Sequence, residues 1–196
     1  MLKRLSLAAA ALGVTALPAF AHLNPEEHGS FMAGVSHPFF GADHILAMVA
    51  VGIWASQIAT ADSDRKALWI VPSAFVGTMA VGFLMAVYGI GLPFVEPAIL
   101  ASVIGLGLLV AAAAKLPAAA AAAVVGAFAL FHGYAHGGEL GSAGAWQFGL
   151  GFMIATALLH LAGIALGLGI ARFGSVASRT IGALTAIAGL SLALGG

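Results

Sequence analysis

The chain has 196 residues, 62% hydrophobic and only 7% charged, with zero formal net charge when the histidines are neutral. Soluble domains carry roughly a quarter charged residues, so a mean hydropathy of +1.09 makes the bilayer the expected solvent and partner, and the balanced charge gives no reason to expect nucleic acid. Cysteine is absent, which excludes disulfides, thiolate metal sites and iron–sulfur clusters and argues against Cu(I) as a cargo.

Residues 1–21 read as a cleavable signal peptide. Lys3 and Arg4 form a short positive region, Leu5 to Leu17 the apolar stretch, and Ala19-Phe20-Ala21 the small-x-small cleavage site. Cleavage leaves His22 at the head of a polar tail, residues 22–36, outside the cytoplasm. Long unbroken apolar runs follow, which spell helices rather than the short alternating strands of an outer-membrane barrel. The expected fold is therefore all-α: a polytopic membrane domain over residues 37–196 with six transmembrane helices.

The punctuation places those spans at about 38–60, 67–90, 97–114, 118–136, 145–171 and 176–194. With the mature N-terminus outside, the loops after the first, third and fifth spans are cytoplasmic. They hold Arg65, Lys66, Lys115, Arg172 and Arg179, which are all the Lys and Arg residues of the mature chain. The positive-inside rule is satisfied throughout, so both mature termini are expected in the periplasm of a bacterial inner membrane. Gly163 with Gly167, and Gly105 with Gly107, offer faces for close helix packing, within one chain or in a homo-oligomer. The first and fourth spans run in opposite directions, as an inverted three-plus-three repeat requires. Similarity between the two halves is too faint to assert one.

The first span opens at the outer face with His37, Pro38, Gly41, Asp43 and His44. Pro38 suits a first helical turn, and a helix starting there puts His37 and His44 on one face. Met48 lies one turn below His44. It is more simply a core residue, although its thioether is available as a ligand. The fourth span ends at the same face with His132, His136 and Glu139, which share one stripe if the helix runs on through Gly137 and Gly138. Ionisable groups in spans are costly and usually face a cavity or a partner. Imidazole with carboxylate suits a borderline divalent cation. His160, alone in the fifth span, reads most simply as a hydrogen-bonded packing residue, or else as a marker on the way down. Glu96 reads as a solvated loop charge, and Asp62 and Asp64 as a solvated turn. In the tail, His22 offers an α-amine and an imidazole together, with Glu26, Glu27 and His28 close behind. That set suits first capture of an ion, and a merely solvated terminus is the plain alternative.

These two clusters carry a resemblance. His37-Pro38-x-x-Gly41-x-Asp43-His44 with Met48, and Phe131-His132-Gly133-x-Ala135-His136-Gly137-x-Glu139, resemble the two signatures of the HupE/UreJ family. The signal peptide, length and span count extend the resemblance over nearly the whole chain. It implies a nickel or cobalt permease associated with hydrogenase, urease or cobalamin, in which His37, Asp43 and His44, and then His132, His136 and Glu139, serve transport. Ni2+ or Co2+ is then a transported ion rather than a permanent cofactor, and a cytoplasmic metal chaperone is a fitting recipient. No nucleotide-binding segment occurs, so no ATP hydrolysis or other enzyme activity is expected of this chain. Two other readings stand beside it. A non-transporting metal-binding accessory would share the same residues. An intramembrane hydrolase is weaker, because Gly141-Ser142-Ala143-Gly144 has the wrong spacing for a rhomboid serine.

Overall fold

The computed structural model describes residues 29–61 and 65–195. The signal peptide, His22, Glu26, Glu27, His28, Asp62 and Asp64 lie outside the described residues. Among those described there are seven α-helices, one short 3-10 turn and no strand. The helices are α1 Ser30–Ser36, α2 Ala42–Ala61, α3 Ala67–Val87, α4 Val95–Ala112, α5 Ala118–Gly138, α6 Ala145–Ala171 and α7 Ser175–Ala193, with the 3-10 turn His37–Phe39 between α1 and α2. The six from α2 to α7 are long and apolar enough to cross a membrane.

The outermost helix faces are greasy. Trp69, Leu108, Leu158, Leu184 and Ile187 are exposed, whereas His132, Thr156, Ser102 and His160 are fully or almost fully buried. A water-soluble fold sorts these residue types the other way, so the burial pattern itself calls for a bilayer. Several buried polar groups find their partners inside the bundle: the Trp54 indole N–H donates to the Ala114 carbonyl at 2.9 Å.

Three helix pairs pack most closely: α2 with α6, α3 with α5, and α4 with α7. Each seam is made by glycine. A Cβ on Gly52 would strike the His160 carbonyl, one on Gly133 the Met79 carbonyl, and one on Gly107 the backbone of Ala186. Backbones approach this closely only without side chains between them. Exchanging the first three spans with the last three swaps the first two of these pairs with each other and returns the third to itself, the pairing that an inverted repeat would give. The backbone thus supports what the sequence was too divergent to state.

Two boundaries differ from the sequence reading. Residues 30–36, counted with the tail, form α1, which lies against α6 with Gly34 on the Phe148 carbonyl and Gly151 on that of Phe31. The first span begins at Ala42, not at Pro38. His37 and Pro38 belong to the 3-10 turn, so His37 and His44 sit on separate elements rather than on one helical face. Glu96 is helical too, in the exposed first turn of α4.

Candidate metal centre

Four imidazoles meet at one end of the bundle, brought from the 3-10 turn (His37), the first turn of α2 (His44) and the last turns of α5 (His132 and His136). All four are buried. Helix α5 does continue through Gly137 and Gly138, and Glu139 caps it by folding back over the cluster. The Glu139 carboxylate lies 3.2 Å from His136 Nδ1 and 3.5 Å from His37 Nε2. Hydrogen bonds from His136 first, and His37 second, hold its carboxyl well below the usual carboxylate range.

The hydrogen-bond partners define two faces of the cluster. On the outer face, His37 Nε2 and His136 Nδ1 are 2.7 Å apart. With a Glu139 oxygen they form a set of ligand atoms all within 4.8 Å of one another. A cavity of about 210 Å³ opens on this face, lined by His37, Phe40, Asp43, His44, His136 and Glu139.

On the inner face, tautomers follow from what each ring touches. Asp43 Oδ1 lies 2.9 Å from His44 Nδ1. The carboxylate accepts there, so Nδ1 carries the proton and Nε2 the lone pair. Ser102 Oγ donates its one proton to the Ile99 carbonyl at 2.6 Å, and it lies 2.7 Å from His132 Nε2. The hydroxyl must therefore accept from His132 Nε2–H, which leaves a lone pair on His132 Nδ1. That nitrogen faces His44 Nε2 at 3.3 Å. His136 Nε2 abuts the same His44 nitrogen. Two lone pairs aimed at each other, with a third imidazole nitrogen beside them, repel unless a proton or a cation lies between. Each ring is also oriented from behind by Asp43, Ser102 or Glu139, the arrangement by which proteins fix metal-ligating histidines.

Aromatic rings pack against the cluster. Phe152 packs at 4.5 Å from the His136 ring and Phe148 at 5.4 Å from that of His37. A Cβ on Gly41 would stand 2.8 Å from both Asp43 Oδ1 and His44 Nδ1, so a side chain there would displace one of these groups.

The structure therefore gathers His37, Asp43, His44, His132, His136 and Glu139. It leaves Met48 in the apolar core one turn below His44, outside the hydrogen-bonded cluster. His160 is buried deeper on α6 and packs against Phe75, and neither ring nitrogen has a hydrogen-bond partner among the described residues. Ser102 escaped the sequence reading. Its one signal was being the sole hydroxyl in α4.

Comparison with known proteins agrees with the motifs. The model of the HupE / UreJ protein family matches residues 10–192. Protein HupE of Rhizobium leguminosarum bv. viciae is 48% identical over 187 residues, covering 94% of this chain and 95% of that protein. No solved structure matches. The chain belongs to the HupE/UreJ family.

Proposed function

We propose that this HupE/UreJ protein takes a divalent transition-metal ion, nickel first and cobalt next, from the periplasm into the cytoplasm through the inner membrane. The observation that carries the reading is the inner face of the cluster, where His44 Nε2, His132 Nδ1 and His136 Nε2 converge, the first two with their lone pairs inward. Three neutral imidazoles with a nearby carboxylate suit borderline cations better than Mg2+ or Ca2+, which prefer oxygen.

His136 belongs to both faces, and this suggests how an ion moves on. A neutral imidazole exposes one lone pair at a time. Ligation at the outer face through Nδ1 requires the proton on Nε2, and ligation at the inner face through Nε2 requires it on Nδ1, where the Glu139 carboxylate, 3.2 Å away, accepts its hydrogen bond. Occupancy of the two faces through His136 is then exclusive, so an ion is handed inward rather than held twice. Exchangeable coordination of this kind is what a pathway needs, since it must bind firmly enough to admit and loosely enough to release. The membrane potential can drive the inward step: moving a charge down it yields about 2.3 kcal/mol per 100 mV, and a divalent ion about twice that.

The test is uptake of radioactive nickel into proteoliposomes under an inward-negative potential, with cobalt, zinc and manganese as competitors. Potential-dependent uptake, competed best by cobalt, is the expected result. Vesicles with folded protein and no uptake above empty ones would leave a non-transporting metal-binding protein as the better description.

A further inference from the structure

Four buried side-chain atoms among the described residues have no hydrogen-bond partner: Gln57 Oε1, Thr156 Oγ1, and both His160 nitrogens. They are not scattered. Thr156 and His160 are one turn apart on α6, Gln57 is on α2, and α2 and α6 form one of the three closest seams. An unsatisfied polar group buried away from water costs about 1–3 kcal/mol. Apolar residues of similar size would pack here without that penalty, so this concentration of unpaired donors and acceptors calls for an occupant.

The position of these atoms says which occupant. Phe75 lies 5.8 Å from the His132 ring and 5.0 Å from that of His160, so a single aromatic ring bridges the inner histidine face and His160. Along α6, Phe152 touches the cluster, and Thr156 and His160 follow at one and two turns, about 12 Å in all at helical rise. Along α2, His44, Met48, Gly52 and Ser56 descend at the same spacing, and Gly52 lies on the His160 backbone. At the far end, a cavity of about 270 Å³ is lined by Ser56, Gln57, Thr60, Lys115, Ser175 and Ser178. This is the end where the basic residues gather. There is room beside His160 as well: a groove of about 430 Å³ between α3 and α6 reaches the ring next to Pro72 and Ser73.

We propose that Thr156 and His160 form a second, deeper station that a divalent transition-metal cation occupies between the histidine cluster and the polar cavity at the basic end. The proposal rests on the uptake reading above and extends it. One imidazole, one hydroxyl and water make a weak ligand set, which suits an ion that must leave again. Gln57, whose amide N–H groups donate to the Val110 carbonyl at 3.1 Å and to Ser178 Oγ at 3.3 Å, presents its remaining oxygen as the next acceptor.

Two measurements on the full chain decide it. In proteoliposomes, His160→Leu and His160→Gln should lower nickel uptake about tenfold or more, while nickel binding to the purified protein stays within about twofold of wild type. The Leu variant should melt no lower than wild type, because it removes unpaired polar atoms. A packing role would leave uptake unchanged. The second measurement uses the absence of cysteine in the natural chain. In His160→Cys the new thiol is unique, and a small methanethiosulfonate should react with it, more slowly by about tenfold when cadmium, a thiophilic probe cation, is present. A thiol that never reacts, or that reacts at the same rate with cadmium, would overturn the station. Unchanged uptake in both His160→Leu and His160→Gln would overturn it as well. Cadmium protection in a protein that shows no nickel uptake would uphold the metal station and sink the uptake reading instead.

Discussion

The two halves of the α2–α6 seam treat polar groups in opposite ways. At the histidine end every ring is held from behind: His44 by Asp43, His132 by Ser102, His136 by Glu139 and His37. Deeper in the bundle, on α6, Thr156 and His160 are just as buried, and their side-chain polar atoms have no hydrogen-bond partner. A network with its partners in place is rigid and presents fixed lone pairs, which favours selection and capture. Groups without partners cannot select tightly, but they offer an ion somewhere to pause. On the proposed uptake reading, the contrast teaches that a transport path need not be lined uniformly. Preorganisation belongs where the ion is chosen, and looseness where it must move on.

The largest expected effect comes from removing a ligand at the organised end. His44→Ala and His136→Ala should each lower the initial rate of nickel uptake by about 100-fold or more, read in proteoliposomes. Near-normal uptake in either would erase the distinction between the two halves. Next comes the support behind a ligand. Ser102→Ala frees the His132 ring to turn and should raise the nickel concentration for half-saturation by about tenfold. Ser102→Thr restores the hydroxyl and most of the affinity, a rescue that a purely packing role would not produce.

The Glu139 carboxyl is held below its ordinary range by hydrogen bonds from His136 and His37, so it stays charged between about pH 7.5 and 5.5. The ratio of uptake in wild type to that in Glu139→Gln should therefore stay constant across this window, and a ratio that falls toward one at about pH 5.5 would show the carboxylate being lost to a proton. The smallest effect is geometric. In Gly41→Ala the added Cβ meets Asp43 Oδ1 and His44 Nδ1, and half-saturation should rise by about threefold with the melting temperature little changed.

The spans were legible because membrane helices announce themselves locally. Twenty apolar residues and their flanking charges need no knowledge of neighbours, and the reading of 145–171 coincides with α6. The entry to the first span was misjudged because Pro38 fits the first turn of an α-helix as well as it fits a 3-10 turn, and only packing against α6 decides between them. The cluster's membership was legible from the two motifs, but its wiring was not. His37 meets His136 across 99 residues and Ser102 meets His132 across 30, and pairings of that kind exist only once the helices have docked. His160 looked like a packing residue because sequence cannot reveal whether a lone histidine has found a partner.

The central claim is that nickel is captured by converging imidazoles. The most direct test is X-ray absorption at the nickel edge on the purified, nickel-loaded protein, compared with His136→Ala. The account predicts about three imidazole ligands in the wild type, and fewer in the variant. A shell of oxygen ligands alone, or one unchanged by loss of His136, would contradict it.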